Sequence, residues 1–223
     1  MQTFNSIEAA VILDRLIIAI QKNKQYLSDI DGLIGDGDHG INMNKGFTIC
    51  RQELDNNPGD FVHGLKVLSK ILRMKIGGSM GPLYGGFFRA LATSLDGKEE
   101  IGSEDISRAL TAMVEAIASI SPAKPGDKTM VDALVPAVAA YTKAYNEGQS
   151  FPQALDALKT GARSGRDSTK NMVARLGRAS SLGERSRGVL DAGATSCCLI
   201  LESLADSIME LLKDVKVEQT SKV

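Results

Sequence analysis

The chain has 223 residues, with 26 Lys and Arg against 27 Asp and Glu, and 43% of it is hydrophobic. That is enough for one large domain with a substantial core, and no linker-like change of composition divides it, so a single domain over 1–223 is expected. A formal net charge of -1 excludes the strongly basic balance by which proteins bind nucleic acid or anionic membrane surfaces.

Helical period and breakers set the elements in chain order. A first helix is expected from Asn5 or Ser6 to about Ser28, with Ile7, Val11, Leu13, Leu16, Ile17 and Ile20 as its apolar positions. Its apolar run is broken by Asp14-Arg15, so it reads neither as a signal peptide nor as a membrane span of about 18 apolar residues. Further helices are expected from about Ile41 to Leu54, Phe61 to Met74, Leu83 to Ser94, Ser103 to Ser119, Met130 to Asn146, Phe151 to Lys170 and Ala194 to Lys213. Cys50, Cys197 and Cys198 form neither a metal-ligand set nor a disulfide framework and read as reduced, small apolar residues. The fold class is therefore all-α: eight helices, no convincing strand, and a soluble, cytoplasmic chain.

Short connections make consecutive helices antiparallel neighbours. In such an up-down arrangement the loops after the first, third, fifth and seventh helices lie at one end. These are Asp31 to Gly40, Gly77-Gly78-Ser79-Met80-Gly81, Ser121 to Thr129, and the Gly-, Arg- and Ser-rich stretch from Leu176 to Gly193. The connections at the other end, such as Asn56-Asn57-Pro58-Gly59 and Glu147-Gly148-Gln149, are plain turns. The unusual loops thus converge on one mouth, as a ligand site at one end of the bundle requires.

The most demanding stretch is Ile34-Gly35-Asp36-Gly37-Asp38-His39-Gly40, with Asp31 just upstream. Carboxylates this close repel unless a cation neutralises them. Asp31, Asp36 and Asp38 offer only hard oxygen ligands, which suits magnesium, calcium or manganese, and they lack the ligand ladder of an EF-hand. The glycines also spell G-x-G-x-x-G, but the residues before them read as helix, whereas a dinucleotide fingerprint needs a strand there. A solvated acidic turn is the plainer alternative. Basic residues Lys124, Lys128, Arg175, Arg178, Arg185 and Arg187 fall in the same loops. Metal, close glycine backbone and arginine together are the equipment of phosphoryl transfer, although no Walker A loop is present.

Four stretches, in order, carry a resemblance: Ile34 to Met43, Pro125-Gly126-Asp127-Lys128-Thr129-Met130, Gly177-Arg178-Ala179-Ser180 with Leu182 to Ser186, and Asp191-Ala192-Gly193-Ala194-Thr195-Ser196. Together they make the chain similar to the nucleotide-binding L subunit of dihydroxyacetone kinases. The resemblance implies eight antiparallel helices in a barrel, with ADP or ATP at one end and two magnesium ions on Asp31, Asp36 and Asp38. His39, Gly40, Ile41 and Asn42 would sit against the phosphates. Ser79, Met80, Ser121, Met130, Arg178, Asp191, Ala192 and Gly193 would line the rest of the pocket, with Arg178 stabilising charge in transfer. Met80, Ser121-Pro122 and Ala192 depart from the family's usual residues. The implied substrate is dihydroxyacetone or a related short ketose held on a separate K subunit, with a phosphohistidine protein of the phosphotransferase system as the expected source of phosphate and a homodimer as a compatible assembly. An ATP-using subunit of a two-component kinase and a nucleotide-loaded module that binds a regulator are the alternatives.

Overall fold

In a computed structural model the described residues are 2–220. They form nine α-helices: α1 (Val11–Lys22), α2 (Lys24–Ile34), α3 (His39–Asn56), α4 (Phe61–Lys75), α5 (Met80–Ser94), α6 (Ser103–Ile120), α7 (Val131–Asn146), α8 (Phe151–Ser168) and α9 (Ala192–Thr220). Two short strands, β1 (Thr3–Asn5) and β2 (Glu100–Gly102), pair antiparallel with Phe4 opposite Ile101. Both of those side chains are fully buried. The sequence pattern shows no strand here because three residues are too few to display alternation.

The expected first helix is two helices, α1 and α2, separated by Asn23. The Asn23 side chain donates to the Ala19 carbonyl at 2.8 Å and its backbone leaves the helical region, at φ -100° and ψ 7°. Asparagine competes for helix carbonyls in this way and bends the chain. Backbone bonds from Asn23 to Ala19 and from Leu27 to Asn23 continue across the break, so the pair acts as one bent rod. With α1 and α2 taken together, eight rods follow one another.

Other boundaries move toward the ligand end. The α3 helix starts at His39 and α5 at Met80, earlier than expected, with Pro82 tolerated in the first turn where its missing N–H is not needed. Helix α9 likewise begins at Ala192, and a 3-10 helix, Arg178–Ser186, occupies part of the stretch expected to be irregular. Helix α6 starts at Ser103 as expected, capped by Gly102, with the Asp105 carboxylate accepting from the Gly102 N–H at 3.0 Å.

Each rod packs on the next in sequence, and α9 returns to pack on α1 and α2. The core between them is continuous, and Phe47, Phe87, Phe88 and Tyr84 form an aromatic cluster behind the ligand end. No helix among the described residues is long and apolar enough to cross a membrane.

The close contact between α7 and α8 involves a proline inside the helix. Pro136 inside α7 has no N–H, so the Asp132 carbonyl loses its helical donor. That carbonyl faces Gly165 of α8, where an added Cβ would lie 2.0 Å from the oxygen. Backbone cannot yield as a side-chain tip can. Gly165→Ala is therefore expected to lower stability by about 1–3 kcal/mol, read by thermal or denaturant unfolding; an unchanged midpoint would contradict this packing.

Candidate functional site

The loops after α2, α4, α6 and α8 meet around one cavity of about 600 Å³. Its lining includes Asp31, Asp36, Asp38, His39 and Asn42 from the first, Ser79 and Met80 from the second, Ser121, Lys128 and Met130 from the third, and Arg178, Asp191, Ala192 and Gly193 from the last. The convergence expected from the parity of the connections is what the fold produces. Gly40 and Ile41 are not among the lining residues. Gly40 is packed against α2, where a Cβ would come 2.0 Å from the Lys24 carbonyl, and the Ile41 side chain is exposed.

Asp31 ends the last turns of α2, and Asp36 and Asp38 stand in the turn that follows. Carboxylate oxygens of all three lie within 4.8 Å of one another. The glycines make this possible. A Cβ at Gly35 would fall 2.6 Å from Asp31 Oδ1, and Gly37 adopts φ +75°, which side-chain-bearing residues disfavour. The Asp31 carboxylate also accepts from the His39 N–H at 3.3 Å, fixing it at the start of α3. Three oxygen donors without sulfur or ring nitrogen suit a hard divalent cation.

Arg178, at the start of the 3-10 helix, places its guanidinium on the Asp36 carboxylate. The other basic residues of these loops behave differently from the reading of the sequence. Lys128 lines the cavity but is only 2% exposed, and its ammonium donates to the carbonyls of Ser186 and Val189, each at 2.6 Å, and of Met172 at 3.3 Å. Arg187 turns to Glu184 and the Asn171 carbonyl, and Arg175 lies 3.9 Å from Asp127. Lys124 and Arg185 do not line the cavity. Arg178 is thus the member of this group that carries its charge to the carboxylates.

Beneath the acidic turn, His39 Nε2 lies 2.8 Å from the Ser196 hydroxyl, which is 2.6 Å from the Tyr84 hydroxyl. Tyr84 also donates to the Gly193 carbonyl at 3.0 Å. Burial pushes the His39 imidazole down to about 4, against the pull of Asp31, so it is neutral at pH 7. The same burial raises the Tyr84 hydroxyl well above its usual range. Tyr84 escaped the sequence reading because nothing in its local pattern separates it from core residues, and Ser196 was noticed only as the end of a motif; the helix register turns both inward at the ligand end. The apolar part of the lining comes from Met80, Leu83, Ile117, Met130 and Leu176.

With this geometry in view, the comparisons with known proteins agree. Residues 33–206 match the DAK2 domain. The chain is 39% identical over 185 residues to the PEP-dependent dihydroxyacetone kinase, ADP-binding subunit DhaL, of Escherichia coli (strain K12), spanning 81% of this chain and 87% of that one. It is 36% identical over 190 residues to the PTS-dependent dihydroxyacetone kinase, ADP-binding subunit DhaL, of Lactococcus lactis, spanning 85% and 91%. In fold it is similar to the dihydroxyacetone kinase of C. freundii in its native form, with a TM-score of 0.70 and 22% identity, over 93% of this chain and 36% of that longer one. This chain belongs to the DAK2 domain family. Its full-length relatives are ADP-binding subunits of dihydroxyacetone kinases.

Asp191 precedes α9, and its carboxylate accepts from the Ala194 N–H at 2.6 Å. Burial nevertheless raises its pKa to about 7, with the nearby Asp132 and Asp31 adding to the rise and Lys128 opposing it. Since this lies above the ordinary 3.8, folding takes up a proton at Asp191: the stabilising contribution is complete below about pH 4 and is lost as pH rises through about 7. His39 acts in the opposite sense, contributing above about 6.5 and losing that contribution as pH falls toward 4. Asp191→Asn removes the first effect. In metal- and nucleotide-free chain, the stability of the variant relative to wild type should improve from pH 5 to pH 8 by on the order of 1–3 kcal/mol in thermal melts; a difference that does not change with pH would contradict the burial of that charge.

Proposed function

We propose that this chain is the nucleotide-carrying subunit of a dihydroxyacetone kinase, holding ADP or ATP with magnesium in the cavity and delivering a phosphoryl group to a short ketose on a separate K subunit. The observation that carries the reading is the set of three carboxylates within 4.8 Å of one another at the edge of a cavity built from four converging loops. Asp31, Asp36 and Asp38 would hold two magnesium ions. Bound there, magnesium neutralises phosphate oxygens and aligns the terminal group.

The chain's own residues supply the remainder. Arg178, already at the acidic turn, is placed to absorb negative charge that develops on the transferring group. His39, neutral and hydrogen-bonded to Ser196, presents the N-terminus of α3 without adding charge. Asn42 follows on the same turn. Ser79, Met80, Ser121, Met130 and Asp191 to Gly193 border the space left for the base and sugar. In this reading catalysis is positioning and charge neutralisation.

In this reading the acceptor is held by the K subunit. Leu33, Ile41, Met74 and Ile120 are exposed large apolar side chains, each within three residues of a lining residue. Such a rim around a catalytic mouth fits a docking partner, and the K subunit is the partner assigned to it. The names of the full-length relatives favour rephosphorylation of a retained ADP by a phosphohistidine protein of the phosphotransferase system. The alternative reading is that ATP exchanges freely from the same cavity, as in an ATP-using subunit of a two-component kinase.

Native mass spectrometry of the purified chain in magnesium, followed by dilution into labelled ATP, tests both. Retained ADP that resists exchange is the expected result, and the same spectrum reads the homodimer. Rapid exchange would select the ATP-using reading. Absence of any bound nucleotide after incubation with ATP and magnesium would overturn the proposal.

A further inference from the structure

Lys128 is placed by a loop that is itself under tight control. Its backbone sits at φ 62°, a left-handed conformation that side-chain-bearing residues rarely adopt. The buried Asp132 carboxylate fixes that loop by accepting from the Gly126 N–H at 2.5 Å and the Thr129 N–H at 2.7 Å. From there the lysine side chain crosses to the connection between α8 and α9.

An ammonium has three N–H donors, and the carbonyls of Met172, Ser186 and Val189 take all three. These acceptors lie on both sides of Arg178 in sequence. A cation removed from water in this way is tolerated only while its donors are satisfied. Losing one segment would strand the charge, so the loop and the segment must be in place together.

Between 172 and 189 only the side chains of Ala174 and Ser186 are buried. Arg178, Ser180, Ser181, Glu184 and Arg185 are exposed. The other ties include the Arg175 N–H on the Asp127 carbonyl at 3.1 Å, the Arg187 guanidinium on the Asn171 carbonyl, the fully buried Ser186 hydroxyl, which accepts from the Ala174 N–H at 2.9 Å, and the Gly188 N–H, which donates to the Lys170 carbonyl at 2.7 Å. Arg178 has a side chain two-thirds exposed, so its position at Asp36 follows from where the segment lies rather than from packing around the guanidinium.

We propose that Lys128 is a positioning residue, whose three-carbonyl clamp sets the 172–189 segment and thereby holds Arg178 at the carboxylate cluster. Its catalytic consequence rests on the kinase reading; the clamp itself does not. Lys128→Met keeps most of the unbranched side chain and removes every donor. In the full chain, hydrogen–deuterium exchange across 172–189 should speed up at least about tenfold, with α4 and α5 unchanged, since local opening follows the loss of the contacts that hold a segment.

With the K subunit and its phosphate source, Lys128→Met should lower kcat about a hundredfold, the scale of a small misplacement of a catalytic group. Combined with Arg178→Ala it should add nothing further, as coupled residues do. Unchanged exchange, or losses that simply add, would overturn the proposal. If the variant fails to fold, the wild-type chain still decides: a clamped ammonium gives a slowly exchanging lysine NH3+ signal in nitrogen-15 NMR at neutral pH, and absence of that signal overturns it. If wild type shows no turnover, the kinase reading fails while the exchange data judge the clamp separately.

Discussion

Electrostatic crowding at the turn between α2 and α3 is the constraint on which the rest of this molecule depends. Three carboxylates with oxygens within 4.8 Å of one another oppose folding in the absence of a cation. Gly35 and Gly37 permit the turn, yet permission does not hold it. It is held by the helices on either side: α2 and α3 pack on each other, with Gly40 allowing close approach to the Lys24 carbonyl. Arg178 offsets part of the repulsion from a segment more than a hundred residues later. The closed sequence of packed helices matters to function because it brings these distant loops to one end.

The polar groups of that end divide by direction. Asp31, Asp36, Asp38 and Arg178 face the cavity and are free to meet a ligand and its metal. Asp132, Lys128, Thr169 and Ser186 are buried and hydrogen-bonded to backbone, tying the loops to one another. His39, Ser196 and Tyr84 form a third set, a neutral network between α3, α5 and α9. A satisfied polar floor of this kind keeps the cavity walls rigid, whereas unpaired groups there would cost stability. The family assignment accords with this division, since a site that works by positioning needs fixed walls more than it needs reactive side chains.

Much of this was legible in the sequence, for reasons specific to each feature. The helices were readable because their apolar positions recur at three and four residues, and the convergence of loops because parity depends only on counting reversals. The acidic turn was readable because carboxylates alternating with glycine crowd like charges on a backbone that can turn sharply. Asn23 was not, since one residue bends a helix only through where its amide turns. The β1–β2 pair was too short for any period. Lys128 misled in a more instructive way: within Gly126-Asp127-Lys128-Thr129 it reads as a cation offered to phosphate, and only the carbonyls of a distant segment reveal that its charge is already spent. Gly40, read as part of a phosphate loop, also serves helix packing through its close approach to the Lys24 carbonyl.

In the proposed function the three-carboxylate turn and the cavity form one nucleotide–metal site. Calorimetric titration of ADP with magnesium into the wild-type chain and into the Asp36→Asn, Asp38→Asn double variant, after removal of endogenous nucleotide, tests it most directly. The account predicts magnesium-dependent binding to wild type that is abolished by chelator and weakened at least about a hundredfold in the variant, the scale on which metal sites lose affinity when ligand shells are altered. Equal affinity in both proteins, or binding indifferent to magnesium, would contradict it.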